Sequence, residues 1–243
     1  MKLKYCDVHE FIDDSYRALK DRFKNYDEFE SFYHGLENDS VKDEFLRVSS
    51  SYLFFVKNGQ WHVEVPRSDP VIEYFSNSFK LVAILAIIES LSNQKHIDFF
   101  EWLVKKQNGI QFPIENKSTL QEHYKNYKKD YGSIKSCKLF FKELSEITKK
   151  EICKLITIDG QPLESVDIFV ELLYKSRSEF AHSTDISIEI GNWFHLGKYK
   201  NKKVFWRQFK IGYLLTIIEE GLIAHFNKHS KIKIHNQPFS RTR

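Results

Sequence analysis

The run from Phe79 to Leu91 is the most apolar stretch of the chain, and it contains Lys80 and Glu89. It is too short to cross a bilayer, so it reads as a buried helix around which other elements must pack. Asp69-Pro70 ahead of it offers an N-cap and a first-turn proline, which predicts one helix from Asp69 to about Leu91. Glycine and proline are scarce, 9 and 5 among 243 residues, which argues against a turn-rich all-β fold and for helices. The core material is aromatic, with 21 Phe and 12 Tyr that bury large areas each.

Helical spacing of Phe11, Tyr16, Leu19, Phe23 and Tyr26 predicts a helix from Val8 to about Tyr33, and a shorter one runs from Ser40 to about Ser49. Tyr52–Val56 and Trp61–Val65 flank Asn58-Gly59, a hairpin signal. Further helices are expected over His96–Lys106, Ser136–Ile156, Glu164–His182 and Arg207–His229. Residues 107–133 read as a polar loop with a short helix, and Asp159-Gly160 as a turn. Ile186–Ile190 and Val204–Trp206 suggest a second hairpin. The expectation is a mainly α bundle with one or two small β-hairpins. Residues 1–69 form a helix and hairpin segment that packs onto a helical domain over 70–229, and 230–243 form a basic, mostly disordered tail.

Cys6, Cys137 and Cys153 form no C-x-x-C pair, so neither a zinc site nor a disulfide framework is suggested. The start, Met1 to Asp7, lacks the apolar core of a signal peptide. A cytoplasmic location without membrane contact is expected, with no metal and no cofactor. No glycine-rich phosphate loop, nucleophile elbow or H-E-x-x-H pattern occurs. The net charge of +4 permits nucleic acid as a partner without requiring it.

The residues with chemistry lie at the end of the helix over 164–182. Arg177 is a permanent cation with a planar fork suited to phosphate oxygens, and His182 can exchange a proton near neutral pH. Phe169, Leu173, Arg177 and Phe180 share one stripe, so Arg177 points where apolar side chains point and needs a partner. Glu89, inward on the apolar helix with Val71, Phe75 and Val82, is the candidate; an ordinary buried ion pair would look the same. On an unbroken helix His182 lies about 140° around from Arg177. Either the helix ends near Phe180 and His182 turns back, or the two converge across a symmetric dimer. A histidine favoured by the helix macrodipole is the plainer alternative.

Leu172-Leu173-Tyr174-Lys175-Ser176-Arg177-Ser178-Glu179-Phe180-Ala181-His182 resembles the signature of the HEPN superfamily, especially its Apea-like branch. There an apolar helix ends in a tyrosine, an Arg-Ser pair and a histidine after four intervening residues. Leu81 to Leu91 is similar to that branch's apolar helix ending in Glu-x-Leu. The resemblance covers roughly residues 70–230 and departs from many active members at Ser178 and Ser183. It implies an antiparallel helical bundle that dimerises around its Arg–His motifs, and metal-independent RNA cleavage through 2′-hydroxyl attack. Arg177 and His182 would be catalytic, with Glu89 and Ser178 in support. A homodimer, RNA and an antitoxin or regulatory protein are the implied partners, and toxin–antitoxin or antiviral defence the implied setting. Non-catalytic relatives that bind RNA or a protein are the alternative, followed by a helical interaction protein in which both residues are structural.

Trp193, Phe194, Tyr199, Phe205, Trp206 and Phe209 alternate with Lys198, Lys200, Lys202, Lys203, Arg207 and Lys210. Rings beside a cationic path suit single-stranded RNA, and a hairpin with aromatics inward and lysines in water gives the same pattern. Trp193, Lys198, Lys200, Lys202, Lys203 and Arg207 are the RNA-binding candidates. Tyr124, Tyr127 and Tyr131 among lysines read as one packed and one solvated face. His225 and His229, four apart, have the spacing of metal ligands but no evident acidic or cysteine partner.

Overall fold

Small polar residues start the helices. Asn25, Asn38, Asp98, Asn116 and Ser145 each accept a hydrogen bond from a backbone N–H two or three residues onward, at 2.8–3.2 Å. Such caps satisfy donors that have no partner inside the helix. The computed structural model describes residues 4–60, 64, 69–92, 97–105, 108–183, 190, 195–207, 209–235 and 238. The N-terminal layer holds α1 (Glu10–Leu19), α2 (Tyr26–His34) and α3 (Asp39–Tyr52). Next come α4 (Asp69–Ser90), α5 (Phe99–Val104), α6 (Lys117–Tyr131), α7 (Ser133–Lys142) and α8 (Glu146–Leu155). Strands β1 (Ile156–Ile158) and β2 (Gln161–Pro162) precede α9 (Val166–Ser183), and β3 (His195–Tyr199) and β4 (Lys202–Trp206) precede α10 (Ile211–Asn227).

The fold is mainly α, with the four strands in one antiparallel sheet of order β2-β1-β4-β3. Both hairpins close on two residues with positive φ, Asp159-Gly160 (49° and 84°) and Lys200-Asn201 (49° and 66°). That is the geometry two-residue hairpins need to match strand twist. Val204 and Trp206 are buried, and Trp206 packs on Phe169 and Phe209, fixing the sheet to α9.

Several expectations are corrected. The first hairpin does not form at Tyr52–Val56: Leu53–Lys57 continue α3 as a π-helical turn, with Asn58 N donating to the Leu53 carbonyl at 2.9 Å. Tyr52, Leu53 and Val56 are buried while Phe54 and Phe55 are 53% and 62% exposed, a helical pattern of burial. Trp61–Val63 and Val65 lie outside the described residues. The expected helix over 8–33 is broken after Leu19 by a 3-10 turn and restarted at the Asn25 cap. The stretch 136–156 divides into α7 and α8 at the Ser145 cap, and the polar stretch 107–133 holds a full-length α6. Residues Ile186–Glu189 of the second hairpin also lie outside the described residues, and β4 pairs instead with His195–Tyr199. The tail is ordered at its start, where Ser230 bridges to Leu36 and buried Ile234 accepts from Asn227.

One apolar core runs from Ala18 through Phe45 and Ile84 to Phe226 and Ile234, so residues before Asp69 share it with those after. Phe45 meets Phe226 edge-on at 5.0 Å between centroids. Close packing of α7 on α10 depends on Gly221, where a Cβ would lie 2.3 Å from the Phe140 ring. Gly221→Ala should therefore destabilise the chain by about 1–3 kcal/mol despite alanine's better helix propensity. Urea unfolding of that variant, and of Gly221→Ala/Phe140→Leu, which should recover stability, checks this.

Candidate Arg–His site

Helices α4, α7 and α9 pack against one another, and the site is built at their junction. On α9, Phe169, Leu173 and Phe180 are buried, as the stripe predicts, and Arg177 is half-buried among them. Its Nη1 meets the Tyr174 hydroxyl at 3.3 Å, and its guanidinium lies 5.3 Å from the centre of the same ring. A residue three positions earlier on the helix thus orients the arginine by a hydrogen bond and a cation–π contact.

The expected Glu89–Arg177 ion pair does not form. Glu89 Oε1 and Arg177 Nε are both sealed from solvent, and among the described residues neither has a hydrogen-bond partner. Cys137, on the neighbouring α7, is fully buried. Burial pushes that thiol up to about 12, Glu89 adds to the rise, and Arg177 opposes it. Burial is the main reason that the thiol stays neutral.

His182 is exposed, and α9 continues through it to Ser183, whose hydroxyl bonds back to the Glu179 carbonyl at 2.7 Å. Of the two alternatives, a helix end near Phe180 that lets His182 turn back does not occur, and the helix runs to about His182 as its expected bounds have it. A Lys175–Glu179 pair at 3.5 Å further supports the last turns. With the helix regular, Arg177 and His182 point about 140° apart and do not meet within one chain. Ser178 is half-buried beside Arg177.

Glu171, earlier on α9, collects three partners. Lys138 Nζ lies at 2.5 Å, the Tyr199 hydroxyl donates to Oε2, and Lys200 Nζ is 3.7 Å away. Burial pushes its carboxyl up, but hydrogen bonds from Lys138 and Tyr199 and the nearby lysine charges together hold it below the usual range. Lys175 Nζ donates to the Lys198 carbonyl at 3.2 Å. These contacts lay the β3–β4 hairpin along α9.

The hairpin's aromatic and basic residues separate. Trp206 and Phe209 are core side chains and are not available for stacking, while Lys198, Lys202, Lys203 and Arg207 are exposed. Trp193 and Phe194 lie outside the described residues. The α6 tyrosines form a ladder of near-parallel rings beside Phe99 and Trp102, with the Tyr127 hydroxyl on the Ile97 carbonyl. His225 and His229 do have acidic neighbours: His225 Nδ1 is 3.9 Å from Glu143 and His229 Nδ1 is 2.9 Å from Glu37. Burial lowers the pKa of His225. No helix among the described residues is long and apolar enough to cross a membrane.

Tyr174 was discoverable in the sequence from its i−3 position relative to Arg177. Cys137 was not, because it arrives on a third helix and carries no local pattern. Compared with known protein families, with curated proteins and with solved structures, the chain matches none.

Proposed function

We propose that this chain is a metal-independent endoribonuclease of HEPN type, whose site joins Arg177 of one copy to His182 of a second. The observation that carries the reading is a half-buried arginine, oriented by Tyr174, sharing one unbroken helix with an exposed histidine. His182 would accept the proton of a ribose 2′-hydroxyl as its oxygen attacks the adjacent phosphorus. The 5′-oxygen then leaves and takes up a proton, and a 2′,3′-cyclic phosphate remains. Arg177 would neutralise charge growing on the phosphoryl oxygens.

On α4, Phe79 is 41% exposed and meets Phe180 of α9 at 5.0 Å, and Phe75, one turn earlier, is 39% exposed. Apolar rings at a surface beside the motif suit coverage by a second copy. A role in toxin–antitoxin or antiviral defence, with an antitoxin or regulatory partner, rests on the resemblance alone.

Purified protein should cut single-stranded RNA in EDTA, leave 2′,3′-cyclic phosphate ends, and spare DNA of the same sequence. Product ends are identified by mass spectrometry. RNA that is bound yet stays intact would favour the second reading, a non-catalytic RNA-binding module. That reading draws on the divergence of Arg177 and His182 within one chain.

A further inference from the structure

From Ile190 to Ile218 the chain carries Lys198, Lys200, Lys202, Lys203, Arg207 and Lys210 and no carboxylate. The sheet sorts these cations, because successive strand residues face opposite sides. Val204 and Trp206 point into the core, so Lys203 and Arg207 project from the outer face. Lys198 joins them, since the register places it directly opposite Lys203. Lys200 is drawn away by Glu171. Asp159 Oδ1 accepts from the Lys203 backbone at 2.9 Å, and among the described residues neither the Lys198 nor the Lys203 ammonium has an ion-pair partner within 4.0 Å. Like charges directly opposite on a sheet repel, and an anion laid across them would relieve the repulsion.

The hairpin's position says which anion. Lys175, which holds the Lys198 carbonyl, precedes His182 by seven residues. That is about two helical turns, ~10.5 Å along the axis and about 20° around it. His182 therefore stands on the stripe of α9 against which the hairpin lies, and Glu171 anchors the same hairpin one turn before Lys175.

We propose that the outer face of the β3–β4 hairpin is a docking site for the phosphodiester backbone of RNA. Lys198, Lys203 and Arg207 grip phosphates and lead the strand toward His182. The inference rests on the ribonuclease reading and adds a substrate-positioning surface to it. Lysine ammoniums are point charges, so this grip positions a strand without reading its bases.

The test is fluorescence anisotropy with labelled oligouridylate of about 20 nucleotides, on full-length His182→Ala protein so that the probe stays intact. Adding Lys198→Ala/Lys203→Ala should weaken binding about tenfold and flatten the slope of log affinity against log salt by about 1.4, or about 0.7 per lost phosphate contact. Lys198→Arg/Lys203→Arg should restore both, and an oligoadenylate should lose the same amount. Lys154→Ala, an exposed lysine on α8, should change neither. Unchanged affinity and slope in the double alanine variant would overturn the site, as would tighter capture by phosphatidylserine vesicles through the same two lysines. If the wild-type chain cuts RNA but the lysine pair is inert, the docking site fails and the nuclease reading stands. If RNA binds through the pair and is never cut, the nuclease reading fails and the site stands.

Discussion

An equimolar mixture of Arg177→Ala and His182→Ala chains will recover about a quarter of wild-type cleavage, although each variant alone loses roughly 10²–10⁴-fold. The reason lies in α9, which runs unbroken through both residues to Ser183. A regular helix directs them about 140° apart, so on the reading proposed above each site takes its arginine from one copy and its histidine from another. In a two-fold dimer the two sites are equivalent. A mixed dimer then has one complete site, built from the intact Arg177 of one chain and the intact His182 of the other, and one site lacking both. Random exchange makes about half of the dimers mixed, each with half its sites, hence about a quarter. The chains must be mixed in denaturant and refolded together, and RNA cleavage followed against the refolded wild type. Zero recovery, with a dimer confirmed by sedimentation, would rule out the shared site. It would leave either a site within one chain or a requirement for both copies of both residues.

Parts of this arrangement were legible in the sequence because they rest on local chemistry. The Asp69-Pro70 start of α4, the buried stripe of α9 and the Asp159-Gly160 turn depend on neighbours within a few residues. The strands beside that turn were missed because β1 has three residues and β2 two, too few to show alternation. Tyr52–Val56 misled for the opposite reason. Its aromatic and β-branched run before Asn58-Gly59 is a strong local hairpin signal, yet long-range contacts win: Tyr52 donates to Glu219, 167 residues away, at 2.9 Å. In the site, half-burial of Arg177 could be read from spacing. That Glu89 and Arg177 form no ion pair could not, because it depends on how α4 and α9 approach one another.

Glu219→Ala should cost about 3–5 kcal/mol, a large share of the ~5–15 kcal/mol typical of a folded domain. Glu219 is 5% exposed on α10. It accepts from Tyr52 and from Lys57 Nζ, each at 2.9 Å, and faces Arg22 Nε at 3.6 Å. Burial, then the Glu219 charge, pushes the Tyr52 phenol well above its ordinary range, so it stays a neutral donor. Deleting the carboxylate leaves Arg22, buried, and Lys57, mostly buried, without their central counter-charge. Asp21 at 3.2 Å and the Ala18 carbonyl at 2.8 Å compensate Lys57 only in part. Glu219→Gln keeps an acceptor for Tyr52 and should lose less. Glu151→Ala, which breaks an exposed pair with Lys154, should cost under about 1 kcal/mol. Urea midpoints at unchanged slope report these differences, and a loss below about 1 kcal/mol for Glu219→Ala would sink the prediction. The same titration tests how the chain is divided. Arg22, Tyr52 and Lys57 precede Asp69, and Phe45 packs on Phe226, so the variant should still unfold in one transition, detected alike by tryptophan fluorescence and circular dichroism. Two separated transitions would mean that the segment before Asp69 folds as its own unit, clamped to α10 chiefly through this one carboxylate.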